Sequence, residues 1–521
     1  MRYISINGLD ARAISGKVLS ILLLAACVAP LATLAVTGAP AFLGSLLPHL
    51  AATVLPGQLA MSLAVSAGAV VAAVALASGG VLCGLFRFPG DWLLSRLLLL
   101  PLLVPTWFLA VLYQYRLGAA GAGALVLVLG VGFAPLVQLL VTAALRSIPS
   151  RYHDVLRNLG RADPVSVARL LLPLALPACA AASVLVFFLA WADEGAARTL
   201  AVPTLTVGLY DQWFGRQDDA QGAPLALATM LLSVLPAWGI WAWLTRGQFR
   251  GTARLQGRSM EPVRLRGPAV LVPWALGAPL LAAGVLYPAY VVVSWTVARL
   301  RWVDLTTLGL DLIDSMIVAL AGTALAAVVA LVFLQREAMA RDRILTAVST
   351  RVVLASFAIP PLVLGLAWLW MFPEGSGAAW VAWLNSTPVP LVAALGLRFC
   401  AVFLVAGQSA LLRVARAHGD VLRVVGRTDL VSFVRLFRPF VAGPMSAVAC
   451  LVFLALLQDL SVSLVLQPFG FTTISSRVFQ YAQTQRVPDC AVWMLCQAVI
   501  GVYPLARLAR WATVAPDRGS S

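Results

Sequence analysis

Apolar runs long enough to cross a bilayer recur along the chain, separated by short polar stretches in which arginine dominates. About 20 apolar residues are needed to span a hydrocarbon core, because every backbone polar group there must be bonded within its own helix. On that criterion the pattern predicts twelve spans. Six lie near Val18–Val36, Gln58–Leu85, Leu93–Val111, Gly121–Leu145, Leu174–Ala192 and Pro224–Leu244. Six more lie near Ala269–Val297, Leu312–Leu334, Val352–Trp370, Pro388–Leu411, Val441–Leu457 and Pro488–Leu505. The first is longer than a signal-peptide core and no cleavage site follows it, so it is expected to remain as a membrane helix.

The polar stretches between the spans repeat. "DVLRNLGRADPVSVARLLLP" (Asp154–Pro173) returns 266 positions later as "DVLRVVGRTDLVSFVRLFRP" (Asp420–Pro439), with twelve of twenty positions identical. Each copy follows the fourth span of its half and precedes the fifth, so the two halves are parallel repeats. Apolar residues and arginines alternate at helical spacing on either side of Gly160 and Gly426, which reads as helix, glycine turn, helix. Glycine allows such a turn, and Pro173 and Pro439 are expected to stop or redirect the chain where it re-enters the membrane. Between the halves, "RGQFRGTARLQGRSMEPVRLRG" (Arg246–Gly267) has no apolar period and carries six arginines. The expected organisation is therefore a first repeat over 1–245, a linker over 246–267 and a second repeat over 268–521, in an all-α polytopic membrane protein of about twelve helices.

Composition agrees: 61% of residues are apolar, 11% are charged, and the mean hydropathy is +0.92. A formal charge of +16 would point to nucleic acid in a soluble protein. Here the charge sorts by loop instead. With the N-terminus in the cytoplasm, 29 of the 37 basic residues fall in loops or at span ends on that side, as the positive-inside rule requires, and both termini are cytoplasmic. The basic residues thus imply a lipid environment and no nucleic acid. Seven cysteines without a CxxC pair and only three histidines suggest neither a disulfide framework nor a metal site.

Topology alone needs positive charge but no fixed spacing, so a loop conserved within one chain implies a shaped partner, present twice. The spacing resembles the EAA loop of binding-protein-dependent ABC importer permeases of the type I class, in which an E-A-A triplet precedes a glycine and a leucine-proline pair closes the segment. Gly160 with Leu172 and Pro173 fits that frame, as does Gly426 with Pro439. "DVL" replaces "EAA" in both copies, keeping the acid at Asp154 and Asp420, and Arg438 stands where leucine is usual. The segments Trp191–Gly215 and Leu457–Tyr481 are similar to the matching region of fused permeases for ferric iron and thiamine. The resemblance implies a transport subunit of a bacterial inner membrane, two cytoplasmic ABC ATPase subunits, and a periplasmic or extracellular substrate-binding protein. It places ATPase coupling on Asp154, Gly160, Arg161, Asp163, Arg169, Pro173, Asp420, Gly426, Arg427, Asp429, Arg435 and Pro439.

No ATP site is expected in the chain itself. Lys17 is the only lysine, and Ala11 and Val18 occupy the positions where a P-loop needs glycine and Ser or Thr. ATP and magnesium would be bound by the partner, and no nucleophile or metal cluster suggests an enzyme. A secondary transporter remains the alternative, although it usually has helices broken at midplane and no reason for duplicated arginine loops.

Arg398 lies about ten residues into the tenth span, about 15 Å from its outer end. Such a charge marks a pathway or belongs to a structural ion pair, with Asp314 as the candidate partner. Asp193, Glu194 and Asp459 close the fifth and eleventh spans, Asp193 and Asp459 at equivalent positions. They either mark where helices meet water or form an acidic outer mouth suited to a cation. Gln138 and Gln408 are weaker pathway candidates, as lone amides often bridge helices. Ferric iron is the first substrate expectation; thiamine, polyamine and phosphonate are the others.

With the seven native cysteines replaced, a cysteine placed in Asp211–Gln221 is expected to react with an impermeant maleimide from outside, and one in Arg246–Gly267 is not. Labelling of the linker in intact cells would overturn this topology.

Overall fold

A computed structural model describes residues 6–41, 52–158, 163–215, 219–246, 262–339, 343–373, 377–411 and 430–513. Ten helices among them are long and apolar enough to cross a membrane, and two bent helix pairs bring the number to twelve. The protein is an all-α polytopic membrane protein.

In chain order the first half contains α1 (Ile6–Ala41), α2 (Leu55–Leu85), α3 (Asp91–Leu97), α4 (Thr106–Leu117), α5 (Gly121–Arg146), α6 (Arg151–Asn158), α7 (Pro164–Trp191), α8 (Gly195–Thr199), α9 (Leu205–Tyr210) and α10 (Asp219–Arg246). The second contains α11 (Leu271–Leu281), α12 (Tyr287–Arg299), α13 (Leu305–Met339), α14 (Arg343–Ala358), α15 (Pro361–Met371), α16 (Ala379–Asn385), α17 (Val389–Leu411), α18 (Leu430–Leu457), α19 (Ser461–Leu466), α20 (Ile474–Gln483) and α21 (Ala491–Thr513). A π-helical turn, Ala282–Leu286, joins α11 to α12 into one long span. Only one strand pair occurs among the described residues. β1 (Phe86–Arg87) runs parallel to β2 (Val263–Arg264), so the end of the linker is pinned to the loop after α2, with the Leu265 amide bonded to the Arg87 carbonyl at 2.9 Å.

Two expectations need correction. The third and ninth spans are not single helices. Asp91–Leu103 and Thr106–Leu117 meet at 87°, and Thr350–Ala358 and Pro361–Met371 meet at 110°. Both breaks have the same local cause. A residue before proline is driven out of helical geometry, and "VPT" and "IPP" place Val104, Ile359 and Pro360 in that position. Pro105 (φ −58°, ψ 142°) and Pro360 (φ −55°, ψ 140°) then start the second arm with nearly identical backbone. Pro173 and Pro439, conversely, do not stop the chain: they lie inside α7 and α18, which begin at Pro164 and Leu430 and run unbroken past them. A transmembrane helix tolerates proline where neighbours re-satisfy the freed carbonyl. Broken helices therefore cannot separate an ATP-driven permease from a secondary transporter in this chain.

The halves exchange their first spans. On α1, Cys27 is buried with Val318, Phe333, Cys400 and Phe403, and Leu34 with Leu362, Val363 and Leu366, all of the second half. Leu280, on the first span of the second half, is buried with Leu94, Leu98 and Val131 of the first. Small residues set the closest approach. A Cβ on Gly79 of α2 would overlap the backbone of Gly277 on α11, and one on Gly284 would press on Pro101 and Val131.

Gly79→Ala should therefore destabilise the protein by about 1–3 kcal/mol despite its better helix propensity, because a backbone cannot yield as a side chain can. Gly57→Ala, where a Cβ meets nothing within 4 Å, should be neutral or mildly stabilising. Thermal unfolding in detergent reads both; equal effects would contradict the tight crossing.

Candidate functional site between the two halves

The acids after the fifth and eleventh spans turn inward. Asp193 accepts from the Ala196 amide at 2.8 Å and from the Thr106 hydroxyl at the start of α4. Asp459 accepts from the Ser463 amide at 3.1 Å and the Ser463 hydroxyl at 3.3 Å. Each acid thus caps the short helix that follows, α8 or α19, satisfying an orphan amide. Glu194 is only 3% exposed and lies beside Ser461 of the other half. Its Oε2 has no partner among the described residues. These acids are not helix ends meeting water: Glu194 is buried, and Asp193 and Asp459 are partly so.

Arg398 is 5% exposed and donates from Nη2 to the Phe357 carbonyl at 3.3 Å, with its guanidinium 5.1 Å from the Phe357 ring and 5.5 Å from that of Phe399. Phe357 belongs to the last turn of α14, where the break orphans carbonyls and the helix dipole presents its negative end. The arginine serves both. Asp459 and Glu194 are the acids near it, neither in an ion pair with it, and its Nε has no hydrogen-bond partner among the described residues. Asp314 is not its partner: that carboxylate accepts from the Thr472 amide at 2.9 Å.

The first break is served differently. The Leu102 carbonyl takes a hydrogen bond at 2.7 Å from Gln458 Nε2 of the other half. At the position equivalent to Arg398 stands Gly132, where a Cβ would strike the Thr106 methyl. Thr106 can donate to Asp193, whereas its counterpart after the second break, Pro361, has neither hydroxyl nor N–H.

A duplicated clamp holds the returning segments. The Leu205 amide donates to Ser62 on α2 at 2.9 Å, and the Ile474 amide to Ser315 on α13 at 2.7 Å. Thr204 and Thr473 cap the helices that follow. In the second half only, buried Asp311 adds a two-pronged ion pair with Arg477 (2.8 and 3.1 Å) and accepts from the Trp493 indole at 2.9 Å. Arg198 lies over the Tyr210 ring at 4.1 Å and near Phe479 of the other half at 5.7 Å. None of these was singled out from sequence. Arg198 and Arg477 do belong to the minority of basic residues outside the cytoplasmic set, and that was the available signal. Gln138 and Gln408 bridge helices, donating to the Ser95 carbonyl (2.8 Å) and to Glu337 (2.7 Å).

Of the coupling residues, Gly160, Arg161, Asp420, Gly426, Arg427 and Asp429 lie outside the described residues. Asp154 on α6, Arg169 on α7 and Arg435 on α18 are exposed at the arginine-rich end of the bundle. Asp163 caps α7, accepting from the Val165 and Ser166 amides at 3.1 and 3.0 Å. The Ser166 hydroxyl and these amides hold its carboxyl below the ordinary value of 3.8. The cap is then fully effective above that ordinary value and fades as pH falls through the lower, folded one.

Residues 77–240, containing α5 to α9, the first repeated loop and the Asp193–Glu194 pair, match the model of a family described as binding-protein-dependent transport system inner membrane component. That stretch of the chain is similar to the membrane component of such importers. No curated protein and no solved structure matches the chain.

Arg398→Met should lower stability by about 1–3 kcal/mol, since it leaves the Phe357 carbonyl at the break without its donor and removes the positive charge beside Asp459 and Glu194. Adding Asp459→Asn should restore part of the loss, and adding Asp314→Asn should restore none. Rescue by the Asp314 change instead, read by thermal unfolding, would revive the ion pair expected from sequence.

Proposed function

We propose that the chain is the permease subunit of an ATP-driven importer, forming the substrate pathway between its halves and docking two ATPase subunits through its repeated loops. One observation carries this: an arginine-rich segment occurs twice, running into α7 and α18, and its first copy lies inside the stretch that matches the importer membrane component. The chemistry of ATP belongs to the partners, and an extracytoplasmic binding protein delivers substrate to the end opposite the repeated loops.

The pathway in this reading runs past Asp193, Glu194, Asp459 and Arg398, where the halves meet. Three acids against one arginine favour a cation, and ferric iron is the leading substrate, with thiamine, polyamine or phosphonate as alternatives. Among the described residues no three His, Cys, Asp or Glu side chains converge on one point. The acids would line a route for the substrate. Arg398, already bonded to the Phe357 carbonyl, acts as a gate and structural element. A secondary transporter draws some support from the broken spans, but that reading leaves the loop duplication without a role.

The test is reconstitution. Proteoliposomes carrying the chain with its ATPase and binding protein should import only with ATP, and Gly160→Pro with Gly426→Pro should abolish import and loosen ATPase co-purification while the chain still inserts. Uptake driven by an ion gradient without ATP would overturn the importer reading, as would normal ATP-driven uptake in the double variant.

A further inference from the structure

The last helix carries a feature that the repeat does not share. Arg507, Arg510 and Trp511 on α21 face Ser446 and Ala447 on α18 across a cavity of about 180 Å³. The facing side of α18 is built from small residues, Gly443, Ser446, Ala447 and Cys450, at i, i+3, i+4 and i+7, so the two helices leave room between them. Arg507 itself lines the cavity, so it lies over this groove and not on the far side of α21. The Trp511 indole points the same way, its Nε1 lying 3.9 Å from where a Gly443 side chain would begin.

The depth of the groove is set by its residues. Candidate spans run Phe440–Leu457 on α18 and Val487–Trp511 on α21, so the cavity opens at one end of the hydrophobic slab. Tryptophan concentrates at that level, where an amphipathic ring has one edge in hydrocarbon and the other among headgroups. Two guanidiniums one turn apart suit the charge and the oxygens of a phosphate, and the apolar walls beneath them suit acyl chains.

The repeat argues against ATPase docking as the reason for these arginines. A partner that binds twice should leave its mark twice, yet the corresponding stretch of the first half, "PAWGIWAWLT" (Pro236–Thr245), has no basic residue. We propose that the groove formed by Ser446, Arg507, Arg510 and Trp511 binds the phosphate headgroup of an anionic phospholipid in the cytoplasmic leaflet. The leaflet assignment rests on the importer topology; the headgroup chemistry does not. Basic pockets between membrane helices on that side are suited to such lipids. A bound lipid would tie the final span to the helix that carries the second repeated loop.

The purified, delipidated chain is titrated with short-chain phosphatidylglycerol, with phosphatidylcholine of the same chain length, and with inorganic phosphate, following thermal unfolding. Phosphatidylglycerol should stabilise saturably and phosphatidylcholine should not. Arg507→Gln or Arg510→Gln should each weaken the apparent affinity about fivefold and the pair roughly thirtyfold. Arg507→Lys with Arg510→Lys should bind more tightly than the double glutamine form, separating charge loss from misfolding, and Arg96→Gln, an arginine outside the groove, should bind as wild type. Equal stabilisation by the two lipids would overturn the proposal, as would full phosphatidylglycerol binding by the double glutamine variant. Protection by inorganic phosphate as strong as that by phosphatidylglycerol would assign a soluble anion and overturn the lipid. Loss of ATPase co-purification with lipid binding unchanged would give the arginines to a protein partner. Because the titration uses the chain alone, a failed importer reading would leave its outcome intact.

Discussion

A helix that breaks inside a bilayer leaves carbonyls that water cannot reach, each unsatisfied group costing several kcal/mol, and the centre of this protein is arranged around two such breaks. Proline positions at Val104–Pro105 and Ile359–Pro361 make the breaks unavoidable. The donors that repair them, Gln458 for Leu102 and Arg398 for Phe357, come from spans ten and eleven or their ends. The first repair crosses from one half to the other, and the Glu194–Ser461 contact does the same. Gln458 thus satisfies a backbone group and joins the halves at the same time.

The two breaks share a backbone but not a chemistry. In the first half Thr106 donates to Asp193 and Gly132 leaves it space; in the second, Pro361 cannot donate, and Arg398 supplies positive charge near Asp459 from the position equivalent to Gly132. A duplicated scaffold has in this way acquired one buried arginine among three acids. In the proposed importer that asymmetry places a single cationic element beside a path lined with acids, where movement of either broken span would alter its pairing.

Much of the architecture was legible because hydrophobic length and arginine placement are properties of the chain alone. The number of spans needed no contacts, and the repeated segment and the equivalent places of Asp193 and Asp459 belong to the sequence itself. The breaks were written in "VPT" and "IPP", yet a hydropathy window averages across proline and saw one run. Pro173 and Pro439 misled in the opposite direction, since in membrane helices the ring is tolerated inside a long apolar run. The partner of Arg398 was out of reach: Asp314 seemed close from its place along a helix, but only tertiary structure shows that it is spent on the Thr472 amide. Asp311, Arg477 and Arg198 were passed over for the same reason, because their pairing crosses more than one hundred positions or depends on ring faces.

The central proposal is that substrate passes between the halves, at the buried charges where they meet. Its most direct test is a disulfide between Glu194→Cys and Ser461→Cys in a chain whose native cysteines have been replaced. Oxidation should form the cross-link in the resting protein and halt ATP-driven uptake, and reduction should restore whatever uptake the reduced variant shows. A cross-link that forms fully while uptake continues would contradict the account, as would failure of the two cysteines to join.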